Sequence, residues 1–374
     1  MRRCESLILF FALSAVPASA QTFVVDVNNG PGTNYTEIAA AVAAVPDGAV
    51  LEVRPGTYDP FQIRDKSLTV LGAPGVRIEA FDQTAIDIVD LAGDRSVTLR
   101  ELTWSRLFGF AGDFVCRNNR GTVLIDRCVP GAFGGRLVVT DCDRAFVRDC
   151  DLASRALTTG ALESYASNLV VTGTSIHGEW GALRQGGGRV QLTACTVETA
   201  SGLAFGQAVI VLLGGGDLLM NGATSIATQL STPGPAVAGD GTVALDPDTV
   251  VQGVASPAFD PNLTLESRAT PRLEADTGPL GGTATAALDV PVAGTGVLFV
   301  GFAMTPVALP GLEDPLWLAN PVRQAVGGAP LLTASYAVPN APWVPGVQVA
   351  WRGAVLTGGG VVTLSNPVLY THRP

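Results

Sequence analysis

The chain has 374 residues, room for two domains and a large core. Hydrophobic residues make up 47% and charged residues only 15%, with 44 Gly and 25 Pro, a balance that suits many short strands and turns rather than long solvated helices. A formal charge of −10 without a basic cluster excludes a phosphate backbone as the natural partner, so no nucleic acid is expected.

Residues 1–20, "MRRCESLILFFALSAVPASA", join two Arg to an apolar run and a small-x-small ending. That is the pattern of a secretory signal peptide cut after Ala20, and it places the mature protein outside the cell or on its surface. No later segment holds the roughly 18 uninterrupted apolar residues that a bilayer crossing requires, so no membrane insertion is expected.

The next element is a short helix. Asn34 with Glu37 three residues on makes a capping-box-like start, and Ile38, Ala41, Val42 and Val45 then share one face before Pro46 and Gly48 stop the helix. A solenoid end exposes apolar core and unpaired edges, and this helix is placed to cover them.

From residue 68 a six-residue unit recurs: "LTVLGA" at 68, "VTLREL" at 97, "VLIDRC" at 123, "AFVRDC" at 145, "LVVTGT" at 169, "VQLTAC" at 190 and "LLMNGA" at 218. The average period of about 25 residues is that of a solenoid coil, and no leucine-rich-repeat pattern competes. The first and third positions are mostly aliphatic, while the second and fourth include Thr98, Arg100, Asp126 and Arg148, the alternation of a strand with one buried face. A second short run follows ("SIHG", "TVET"), then a third that starts on Gly112, Gly135, Gly160, Gly181 or Gly202. Arg100, Asp126 and Arg148 stack on successive coils and are expected to act as ordinary surface ion pairs.

Cleavage leaves Cys116, Cys128, Cys142, Cys150 and Cys195. No C-x-x-C spacing points to zinc, and no cofactor is expected. The sixth repeat position reads Ala73, Leu102, Cys128, Cys150, Thr174, Cys195, Ala223, a column of mostly small side chains in which the thiols serve as small hydrophobes. Coils about 4.8 Å apart also permit a Cys128–Cys150 bridge as the alternative.

This organisation resembles the right-handed parallel β-helix of the pectin-lyase-like superfamily, with three strands per coil. The stretch "NYTEIAAAVAAVPDGAVLEVRPGTY" (34–58) is similar to the opening segment of pectinesterases, and the resemblance covers about residues 22 to 260. It implies a β-helix over 21–262 and a substrate lying along the outer face of the first sheet, here the Gly-started strands. After Pro- and Gly-rich segments at 231–262, the runs "ATAALDV", "GVLFVGFAM", "GVQVAWRGAVL" and "VVTLSNPVLY" suggest a small antiparallel β-sandwich over 263–374. It resembles C-terminal domains appended to exported proteins of high-GC bacteria. Trp317, Trp343 and Trp351 are read as core rather than as a sugar platform.

Counting from each Gly, the first face carries Asp113, Val115, Arg117, Arg136, Val138, Thr140, Glu163, Tyr165, Arg184, Phe205 and Gln207, with Asp87 from the preceding strand. Asp87 and Asp113 are one coil and two residues apart, roughly 8 Å between Cα atoms, which an inverting glycosidase admits at carboxyl separations of about 6.5 to 9.5 Å. They are the candidate catalytic pair. "DFVCRNN" at Asp113 is similar to the pectinesterase "DFIFGN" segment, whose Asp is the nucleophile, but the Gly after it, the second Asp with its Gln and a "GRPW" are all missing. Ca²⁺-assisted lyase chemistry would have to begin from the same two carboxylates and finds no further oxygen ligands. His177, read as a turn residue beside Glu179 and Trp180, and His372 offer no nucleophile elbow to serve. The favoured expectation is therefore an extracellular, acidic polysaccharide bound by Arg117, Arg136, Glu163, Tyr165, Arg184, Phe205 and Gln207. Its rivals are a carbohydrate-active enzyme using Asp87 and Asp113, and a passive structural or adhesive surface protein.

Overall fold

The structure, a computed structural model, describes residues 21–372 apart from 82–83, 107–111, 133, 155–159, 180, 200–207, 233–234, 255–257, 291–293, 308–311, 313–314, 329, 342–343 and 358–359. The segment read as a signal peptide, and Trp180, Phe205, Gln207 and Trp343, lie outside the described residues. Strands account for 65% and helix for 2%, in a parallel β-solenoid of about eight turns followed by antiparallel sheets.

The repeat units stack residue for residue. Leu68 pairs with Val97, and the column continues through Val123, Ala145, Leu169, Val190 and Leu218, every one in parallel register. The Gly-started runs align as well, Phe114 with Leu137, Leu162 and Leu183. The next member departs from the sequence reading: Leu183 pairs with Ile210, so Ala208 rather than Gly202 continues the column. An inserted stretch before that strand breaks the count that the simple period assumed.

The Gly-started run and the six-residue unit are the two halves of one strand, folded across a corner. Phe114–Asp126 bends at Asn118 (φ 56°), Leu137–Arg148 at Asp141 (φ 53°) and Leu162–Thr172 at Ala166 (φ 46°). A second corner follows at Glu101, Arg127, Asp149, Gly173 and Ala194, all left-handed, before the chain enters the third face. These bends cost roughly 1–2 kcal/mol at each non-glycine residue, which ladder bonds and core burial must offset. Just inside the second corner, Cys128, Cys150, Thr174 and Cys195 stack. The next member is Thr224 rather than Ala223, because Ser225 pairs with Thr196 and Thr224 Oγ1 accepts from the Cys195 amide at 3.3 Å. The five described cysteines are buried free thiols, and burial pushes Cys128 and Cys195 up to about 12.

The lid helix spans Ile38–Ala44 and buries Ile38, Ala41 and Val42 on the predicted face. Its capping box does not form. Glu37 is the N-cap without a side-chain bond, and Asn34 Oδ1 instead accepts from the Val24 amide at 2.8 Å, closing the first strand. At the other end Lys66 Nζ donates to the carbonyls of Val42 (2.6 Å) and Val45 (2.9 Å), a cation where the helix leaves its acceptors open.

The parallel ladder runs past residue 262, since Leu263–Ser267 pairs with Val237–Leu245. The antiparallel part begins at Arg272. It holds a three-stranded sheet (Arg272–Asp276, Thr283–Asp289, Leu331–Ala337) and a five-stranded sheet built on Gly294–Val307, Leu316–Gly328 and Gln348–Thr357, closed by Val362–Leu364 and Val368–Thr371. Its core is Leu273, Leu288, Leu298, Trp351, Val355 and Tyr370.

That domain lies against the outer surface of the second face. Leu124, Phe146 and Val170 occupy one outward row and are buried with Trp317, Leu318, Ala350 and Leu369, and Phe146 meets Trp317 edge to face at 5.4 Å. The charge ladder expected on the surface is therefore interior: Arg100 Nε sits 3.1 Å from Asp126 Oδ2, with side chains 5% and 2% exposed. Trp317 and Trp351 are core, as read from the sequence.

Candidate functional site

The C-terminal domain covers the second face, and the first face keeps exposed side chains such as Arg117. Alternation along its strands sends Phe114, Cys116, Leu137, Val139, Leu162, Ser164, Leu183 and Gln185 inward, all fully buried, and leaves the intervening residues outside. Two parallel rows result. One runs Gln62, Asp87, Val115, Val138, Glu163, Arg184, and the other runs Arg117, Thr140, Tyr165, Gly186. Asp113 and Arg136 flank the first row at the strand entrance.

Both candidate catalytic carboxylates are held by arginine forks. Arg117 donates to Asp87 through Nε (3.2 Å) and Nη2 (2.8 Å), and Gln62 Nε2 adds a bond at 2.6 Å. Arg136 grips Asp113 in the same way, through Nε at 3.0 Å and through Nη2. Bidentate pairs of this kind are the strong, orienting type. The hydrogen bond to Asp87, and then its charge, raise the Arg117 guanidinium further, and Asp113 does the same for Arg136.

Arg136 also reaches Glu163 through Nη1 at 3.7 Å, so Asp113, Arg136 and Glu163 form one chain across three coils. Glu163 is only 5% exposed: its Oε1 accepts from the Gly160 amide at 3.2 Å and its Oε2 from the Tyr165 hydroxyl at 3.2 Å. Burial, and then the Glu163 charge, push the Tyr165 phenol above its ordinary value. The Tyr165 ring lies over Gly186 of the next coil, where a Cβ would stand 2.5 Å from it. That glycine leaves a bare backbone shelf beside the ring.

Arg184 pairs in register with Glu163 on one side and Val211 on the other. Where Phe205 was expected, the described strand carries Val211, and Phe205 and Gln207 fall outside the described residues. Gln62 and the neighbouring Arg64–Asp90 pair were missed in the sequence reading. The alternation of "FQIR" (61–64), paired to Ile86–Val89, is the signal that would have found them.

His177 is on a third-face strand, Ser175–Gly178, rather than in a turn, between Asp151 (3.7 Å) and Glu198 (3.5 Å). It stands apart from the first face. Among the described residues no group of three or more His, Cys, Asp or Glu is arranged to hold a metal ion.

No family profile and no curated protein matches the sequence. Among solved structures, the enzymatically active domain of bacteriophage CBA120 tailspike protein 2 aligns at 10% identity and a TM-score of 0.35, over 95% of this chain and 71% of that one. The corresponding domain of tailspike protein 4 of the same phage aligns at 12% identity and 0.30, over 89% of this chain and 65% of that one. The chain thus spans about two thirds of the length of these domains. At TM-scores this low the likeness carries no argument about function, which rests on the site itself.

Proposed function

We propose that the protein is exported and binds an extended extracellular polysaccharide along the outer face of the first sheet, without cleaving it. The observation that carries this reading is the pair of arginine forks. A glycoside hydrolase needs one carboxyl free to donate a proton and another free to receive water or the sugar, whereas both oxygens of Asp87 and of Asp113 are committed to guanidinium groups. Held that way, the carboxylates orient the arginines.

The face offers a sugar chain a half-buried ring beside a glycine shelf at Tyr165 and Gly186, and in the same row Arg117, Thr140 and Tyr165 set one polar side chain on each of three successive coils, about 4.8 Å apart. Uronate or sulfate groups on the chain would meet the outer edge of Arg117, whose Nη1 is not engaged by Asp87, and Arg184. The likeness of residues 34–58 to the opening segment of pectinesterases is the second support, since in the pectin-lyase-like superfamily substrate lies along this face.

A glycan array probed with the full chain tests the proposal. Binding to an acidic polysaccharide that is lost in Arg184→Ala and Tyr165→Ala is the expected result. No binding to any glycan would leave a passive structural role. Release of reducing ends or unsaturated sugars, abolished in Asp113→Asn, would make the protein an enzyme and overturn the reading.

A further inference from the structure

We infer that the cleft between the solenoid and the three-stranded sheet is a second ligand site, built for a short neutral oligosaccharide and independent of the first face. It encloses about 910 Å³, near the top of the roughly 300 to 1,000 Å³ of small-molecule sites.

Its floor is the second corner of the solenoid. Along that column Glu101 and Arg127 give way to Asp149, Gly173 and Ala194, and only the last three line the cleft. The loss of side-chain volume in those coils is what opens the floor.

Its wall is the polar side of the three-stranded sheet. Alternation buries Leu273, Ala286 and Leu288 in the core of the C-terminal domain. The other side then presents Glu274 beside Ala287 and Thr333 in one row, and Asp276 beside Thr285 and Ser335 in the next. The hydroxyls of Thr285, Thr333 and Ser335 are on exposed residues and make no hydrogen bond among the described residues.

Charge and shape narrow the ligand. Arg148 is paired with Asp149 at 3.0 Å and Arg272 with Glu274, which leaves Asp276 as surplus. A slightly negative cleft gives uronate, sulfate or phosphate no net attraction. No aromatic side chain lines it, so a flat ring has nothing to stack on. What fits is an uncharged, non-planar molecule rich in hydroxyls, which donate to the carboxylates and accept from Thr and Ser.

Calorimetric titration of the full chain with maltotriose, cellotriose and tri-N-acetylchitotriose, and with trigalacturonate as the acidic comparison, decides the matter. At least one neutral trimer should bind, and Thr333→Trp, which sets an indole into the cleft, should weaken it about tenfold or more. The milder Thr333→Val/Ser335→Val double variant removes two hydroxyls at exposed strand positions that favour valine, so the fold is kept, and it should weaken binding in the same direction. Failure of every neutral trimer to bind, binding of trigalacturonate alone, or unchanged binding in the double variant would overturn the assignment. Loss of polygalacturonate binding in Tyr165→Ala scores the first face separately, so the two readings fail by different measurements.

Discussion

His372 closes a hydrogen-bond relay whose direction can be worked out group by group. The Thr277 carbonyl, 2.9 Å from Nδ1, can only accept, so Nδ1 carries the proton and Nε2 accepts from the Tyr336 hydroxyl at 2.7 Å. Tyr336 then accepts from Tyr370 (2.9 Å), and Tyr370 from Trp351 Nε1 (3.0 Å). Protonating Nε2 would set a second N–H against a hydroxyl that is already donating. Burial acts in the same sense and lowers the His372 imidazole below its ordinary 6.5, against the opposing bond to Thr277. A depressed folded value means that the unfolded chain binds more protons, so this contribution is intact above pH 6.5 and is lost as pH falls through the folded value. The imidazole resonance of His372 should titrate with a midpoint below 6.5, and thermal stability should begin to fall below about pH 6.5, ahead of the ordinary carboxylates near 4. A midpoint at or above 6.5 would contradict the relay. Burial likewise separates the ion pairs. Arg64–Asp90, with both side chains at least 40% exposed, belongs to the class worth about 0–1 kcal/mol. Asp126→Asn takes the nearer carboxylate from Arg100 and leaves it Glu101 at 3.8 Å, a loss of a charged hydrogen-bond partner expected to cost about 1.5–3 kcal/mol in denaturant unfolding.

At the scale of elements, the strands were legible because a two-residue alternation and a period near 25 residues are written directly into side-chain chemistry. The columns from Leu68 to Leu218 and from Gly112 to Gly181 follow from counting alone. Counting fails at insertions, which is why Gly202 was placed where Ala208 stands. It also fails where two local solutions compete, as when Asn34 closes a strand instead of capping the helix. The roofing of the second face had a readable signal that was passed over: its outward row is Thr98, Leu124, Phe146, Val170, and three adjacent apolar residues facing out require a cover. The alternation of Glu163, Tyr165 and Arg184 was legible as a shared face. The forks were not, because they depend on rotamers that no spacing specifies. Trp317 is the main element of the cover, and Trp317→Ala is expected to destabilise the fold by about 3–5 kcal/mol, measured as a lower denaturant midpoint. A change below about 1 kcal/mol would show that the two domains do not depend on this contact.

For the whole molecule, the solenoid and the C-terminal sheets are not separable pieces. Arg144 Nη1 donates to the Ala303 carbonyl at 3.4 Å, Gln348 Nε2 to Val97 O (3.2 Å) and Thr98 Oγ1 (3.1 Å), and Arg148 Nη2 to Ala275 O at 3.2 Å. These bonds frame the apolar seam of Leu124, Phe146, Val170 and Trp317. A chain ending after Ser267 would bare that seam, and it is expected to bind a hydrophobic dye and to self-associate on size-exclusion chromatography. A monomeric, dye-negative solenoid would show that the second face needs no partner.

The grip of Lys66 on the carbonyls of Val42 and Val45 makes the lid helix observable from outside. Lys66 is the sole lysine in the sequence, so an amine-acylating reagent has one side-chain address, told apart from the terminal α-amine by peptide mapping. Its amine reacts freely only after it lets go of the helix, and the speed of labelling therefore clocks how often the end of the coil stack comes uncapped.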